Sequence, residues 1–100
     1  MMKMLGMFKE FGLENGPSIK DSFSDAAFPN KDAVVRYLKS GKVGVTGGSF
    51  YIDVVTGKQT RIGKCIMTDG EYTWPGILAY YVDKYNLRLP ADFEAKAMNN

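Results

Sequence analysis

One hundred residues, 45% apolar and 24% charged, describe one folded domain with a single modest core rather than a disordered chain. A formal net charge of +2 is too small to argue nucleic-acid or membrane binding by itself, and no apolar run approaches the roughly eighteen residues of a bilayer-spanning helix. The absence of histidine excludes Ser-His-Asp and Cys-His machinery and histidine metal sites, while a lone Cys65 excludes an intrachain disulfide.

In the first segment Met4, Leu5, Phe8 and Phe11 recur at helical spacing, with Met1 and Met7 adjoining. The spacing predicts an amphipathic N-terminal helix within residues 1–16, either loosely packed or a docking segment, stopped by Gly16-Pro17. Lys9 and Glu10 cut its apolar stretch too short for a secretory signal, so the chain reads as cytoplasmic, in keeping with one unpaired thiol. Residues 18–28 read as a loop in which Ile19 and Phe23 share one turn. Asn30 then caps a second helix that turns Val34, Tyr37 and Leu38 inward, carries Asp32 in its first turn and stops at Gly41.

After Gly41 the period changes from 3.6 to 2. Val43 and Val45 alternate with Gly44 and Thr46, Gly47-Gly48 supplies a tight turn, and Phe50, Ile52 and Val54 share one strand face. Thr56-Gly57 makes a second turn into a strand over 59–68. The pattern predicts a three-stranded antiparallel meander from Lys42 to Thr68.

The stretch from Asp69 to Pro90 holds the only tryptophan and four of the six tyrosines. Trp74, Ile77, Leu78, Tyr81, Val82 and Tyr85 fall on one helical face, with Thr73 as N-cap, Pro75 in the first turn and Asn86 as a left-handed end. Pro90 starts a short final helix with Asp92 and Glu94 near its positive end and Lys96 near its negative end. The expected architecture is a single α+β domain over residues 1–100, with helices packed against the meander. Its expected core joins Val34, Leu38, Phe50, Ile52, Val54, Trp74, Leu78 and Tyr81.

The chemistry-bearing residues are sparse. Gly44 to Ser49 lacks the lysine and the following helix of a phosphate loop, and Asp69 with Glu71 lacks the ligand ladder of a cation site. Cys65 has no base to activate it. No catalytic residue, cofactor or metal is therefore assigned; a carboxylate-based hydrolase using Asp53, Asp69 and Glu71 is the surviving enzymatic alternative. Charge is more informative. Residues 31–64 carry seven basic and two acidic side chains, a net +5, against six basic and nine acidic elsewhere. The favoured function is a non-enzymatic protein-binding module, with Tyr51 and Tyr80 as aromatic anchors and Arg36, Lys39, Lys42, Lys58 and Arg61 as steering charges. The alternative is RNA or anion binding by the same basic segment.

Asp69-Gly70-Glu71-Tyr72-Thr73-Trp74-Pro75, followed by Leu78-Ala79-Tyr80-Tyr81-Val82, Tyr85 and Leu89-Pro90, resembles the C-terminal third of small uncharacterised bacterial proteins with a D-G-x-Y-x-W-P turn, a tyrosine pair and a closing L-P. Proteins of this size and style resemble immunity partners of bacterial toxins. The resemblance implies an inhibitory, protein-binding role and brings no catalytic residue with it.

Overall fold

A computed structural model describes residues 3–12 and 15–99; Met1 of the expected N-terminal helix lies outside the described residues. Four strands, β1 (Lys3–Met4), β2 (Lys42–Ile52), β3 (Gln59–Thr68) and β4 (Tyr72–Pro75), form one mixed sheet in the order β1-β4-β3-β2. Three helices complete the α+β domain: α1 (Lys31–Lys39), α2 (Leu78–Tyr85) and α3 (Ala91–Met98). α1 packs against both α2 and α3.

Several elements form where the local chemistry places them. α1 stops at Ser40, one residue before Gly41, whose bare Cα lies against the Trp74 ring. Asn30 precedes α1 in a left-handed conformation, but its side chain makes no cap bond. Asn86 closes α2 at φ 55°, and fully buried Leu87 folds back so that its N–H donates to Tyr81 O. In the 18–28 stretch Ser18 caps a short 3-10 turn that buries Ile19 completely, and Phe23 bridges to Leu87.

The sheet differs from a three-stranded antiparallel meander in three ways. First, Gly47-Gly48 is not a turn. β2 runs through it as one eleven-residue strand, and the pairing shifts from Thr46 opposite Cys65 to Phe50 opposite Gly63, so the glycines absorb a bulge. Second, Tyr72–Pro75 is a strand, not the entry to a helix. Thr68 and Met67 pair with Thr73 and Trp74 on one side, and Lys3 and Met4 pair in parallel with Tyr72 and Thr73 on the other. Tyr72 and Trp74 are buried while Thr73 and Pro75 are half-buried, the period of a strand. Third, no amphipathic helix is present in residues 3–12: Lys3–Met4 is the edge strand β1 and Lys9–Phe11 a single 3-10 turn.

Two aromatic groups fill the core. Phe93 meets Tyr72, Trp74 and Tyr37 edge-on or tilted at centroid distances of 5.0, 5.7 and 5.6 Å. Tyr81 is ringed by Phe11, Phe23 and Tyr85 at 6.1, 6.1 and 6.0 Å. Phe50 and Ile52, expected in this core, are exposed instead, because β2 is the outermost strand and the core is built around β4 and the helices.

The N-terminal segment docks through Gly6, where φ is +77° and a Cβ would lie 2.7 Å from Pro75 Cδ. Gly12 has φ +99° but open space around it. Gly6→Ala is therefore expected to cost more than Gly12→Ala, which carries only the ~1–2 kcal/mol of the left-handed backbone. Chemical denaturation of the two variants checks this; equal losses would mean that the Gly6–Pro75 contact is not made in solution.

Candidate functional site: the open side of the β2–β3 hairpin

β2 is the edge of the sheet, and from Lys42 to Phe50 every residue is exposed. At its far end Tyr51 O accepts from Thr60 Oγ1 of β3 at 2.8 Å, and Ile52 O from the Tyr81 hydroxyl at 3.3 Å. Val43, Val45, Phe50 and Ile52 all stand in solvent, Val45 65% and Phe50 47% exposed. Soluble proteins guard such edges with charge, proline, brevity or bulges, and the register shifts of the β2–β3 pairing are the guard present here. This strand is long, has no proline, and carries Lys42 as its one charged residue.

The apolar surface continues beyond the strand. Ile66 lies opposite Val45 on β3, and across β4 it pairs with Pro75. Ile66 lines a groove of about 280 Å³ together with Met4, Met7, Phe11 and Pro75, and also an adjoining depression that reaches Ile52 and Lys64. Met4, Met7, Ile66 and Ile52 thus line connected apolar surface, with Val45 beside Ile66, whereas Val43 and Phe50, opposite Met67 and Gly63, lie on the other face of the ladder. The methionines of that surface are side chains that adapt to varied contacts.

The residues singled out from sequence are placed differently from one another. Tyr51 is half-buried, its hydroxyl donating to Cys65 O at 2.8 Å, so it braces the hairpin. Tyr80 is also half-buried; it donates to Asp53 Oδ2 at 2.5 Å and accepts from Lys84 Nζ at 3.1 Å. The basic residues fall into two groups. Arg36 and Lys39 on α1 lead into Lys42 at the start of β2, whereas Lys58 and Arg61 flank a shallow pocket with Tyr80 and Lys84 at the other end of the hairpin. With Lys42 paired to Thr68 and Ile52 to Gln59, the groups are separated by the length of the strand, roughly 30 Å at the usual rise.

The carboxylates are structural anchors. Asp53 is 1% exposed and receives the hydroxyls of Tyr80 and Tyr85 (2.7 Å) and the N–H groups of Val55 (2.7 Å) and Thr56 (3.1 Å). Burial pushes its carboxyl up, but these four donors outweigh it and hold it at about 2, while Tyr85 is pushed up to about 12 by burial and its bond to Asp53. Asp69 accepts from Glu71 N and Tyr72 N, from Tyr37 and from Lys96 at 2.8 Å, and against its burial these partners hold it well below the usual carboxylate range. Glu71 completes that cluster through Lys96 at 2.7 Å. Glu94, buried at the start of α3, accepts from Arg88 Nε and Nη2 and from the Leu89 N–H. Cys65 is half-buried, with its Sγ where a Cβ on Gly76 would fall.

Among the described residues no group of three or more acidic, cysteine or histidine side chains could hold a metal ion, and no helix is long and apolar enough to cross a membrane. No protein-family model, curated protein or solved structure matches the chain.

Proposed function

We propose that this chain is a small non-enzymatic protein-binding module, of the inhibitor or immunity type, that engages its partner through the open side of the β2–β3 hairpin. The observation that carries the reading is the set of exposed apolar side chains on a long, nearly uncharged edge strand, joined through Ile66 to the methionine-lined groove. Contiguous exposed apolar surface of this kind marks interaction sites. Two further points support it. Asp53 and Asp69, two of the three carboxylates considered for hydrolysis, are held as hydrogen-bonded anions inside the fold, a poor state for general acid work. The third, Glu71, is paired to Lys96. The resemblance of the C-terminal third adds the inhibitory character.

The alternative, RNA or anion binding, rests on Lys58, Arg61 and Lys84 around one shallow pocket. Salt separates the readings. The partner is isolated by affinity capture on the full-length chain and its binding remeasured between 50 and 200 mM salt. A protein partner should remain bound, with affinity lowered by at least about tenfold in Phe50→Ala. Collapse of affinity with salt, together with indifference to Phe50→Ala, would replace the protein-binding reading with the nucleic-acid one.

A further inference from the structure

We infer that β2 takes up an extended, acidic segment of the partner as a fifth strand of the sheet; this rests on the protein-binding reading and specifies how the partner is held. The backbone dictates the form of the occupant. β2 is the last strand of the sheet, so between the register shifts near Gly44 and at 47–49 its outer N–H and C=O groups face away from β3, and another strand is the occupant that answers such groups.

Charge dictates its chemistry. The hairpin carries Lys42, Lys58, Arg61 and Lys64, and its one carboxylate, Asp53, is buried and already hydrogen-bonded. Lys64 is the informative one. A Cβ on Gly47 would lie 3.2 Å from Lys64 Cβ, so the two residues are neighbours on the same face of the ladder. With no side chain at Gly47, the lysine stem has a free path across β2. That stem is longer than the ~4.8 Å between neighbouring strands, so its ammonium can cross β2 to the edge along which an added strand would lie. Among the described residues no carboxylate forms an ion pair with Lys42, Arg61 or Lys64. Aspartate or glutamate on the incoming strand would supply the missing partners on the Lys64 face, and apolar residues at alternate positions would meet Val43 and Phe50 on the other. A second copy of this chain fits less well, since antiparallel pairing of two β2 edges sets like-charged hairpins side by side.

The test pans the full-length chain against a displayed library of random dodecapeptides, then maps amide hydrogen exchange with the enriched peptides as synthetic probes. The expected result is enrichment of peptides alternating acidic and apolar residues, with added protection in Lys42–Phe50. Affinity should fall at least about tenfold in Lys64→Glu and on N-methylation of alternate peptide amides. Circular dichroism verifies that Lys64→Glu, at an exposed position, stays folded. Enriched peptides without acidic residues, protection outside Lys42–Phe50, or no enrichment would overturn strand addition. Protection of the same amides on raising the protein concentration alone would overturn it in favour of a second copy. A captured protein partner that binds Phe50-dependently without protecting Lys42–Phe50 sinks this inference and leaves the protein-binding reading standing; absence of any Phe50-dependent partner sinks both.

Discussion

Trp74→Ala is expected to remove ~3–5 kcal/mol of stability, a large share of the roughly 5–15 kcal/mol available to a small domain. Trp74 is 1% exposed and sits where β4 meets α1 and α3, with Phe93 at 5.7 Å, Tyr37 at 6.5 Å and the Gly41 backbone pressed on its ring. Truncation leaves a cavity that strand pairing on both sides of β4 prevents from collapsing. Trp74→Phe should cost much less than the alanine variant. It keeps an aromatic ring against Phe93, and it deletes an indole N–H that has no hydrogen-bond partner among the described residues. Denaturant titration of both variants checks the order, and a Trp74→Ala loss under about 1 kcal/mol would contradict the buried position.

Asp53→Ala is expected to cost ~2–4 kcal/mol, because it leaves two tyrosine hydroxyls and two backbone N–H groups without their common acceptor. The same site sets a pH dependence. The folded carboxyl, at about 2, lies below its ordinary value of 3.8, so its contribution is complete above about pH 4 and is lost as pH falls through 2. The depression corresponds to roughly 2 kcal/mol. Asp69, Glu10 and Glu94 are also held low, so the wild-type slope is a sum. Comparing unfolding free energies of wild type and Asp53→Asn between pH 2 and 6 isolates the Asp53 part. Parallel curves would show that Asp53 is not the buried anion described above.

Much of the helical framework was legible in local signals: Asn30 and Gly41 bracket α1, Asn86 ends α2, and Pro90 precedes α3. Trp74 misled because its spacing from Ile77, Leu78 and Tyr81 continues the α2 stripe, while its true constraint is pairing to Met67 within a strand whose Tyr72 and Thr73 pair with Lys3 and Met4. Phe50 and Ile52 show a different limit. Alternation identifies a strand, but the same alternation is written by a face that the core covers and by one left open for a partner. Which it is depends on strand order. The hub role of Asp53 was equally invisible, since Tyr80 and Tyr85 reach it from twenty-seven and thirty-two residues away.

The pairing of β1 with β4 also orders events in time. Antiparallel β2 and β3 are joined by a short turn and can associate within microseconds, as hairpins do. Lys3 and Met4 must instead wait for Tyr72 and Thr73, so the first strand of the sheet in the chain is the last to find its neighbour. Closing that long loop carries an entropic cost that nearby contacts do not share. Until it closes, the outer flank of β4 is uncovered as well as β2. Any species in which that loop has not yet closed exposes two strand edges where the native protein has one large one, so aggregation during refolding is expected to rise with protein concentration before that closure rather than after it.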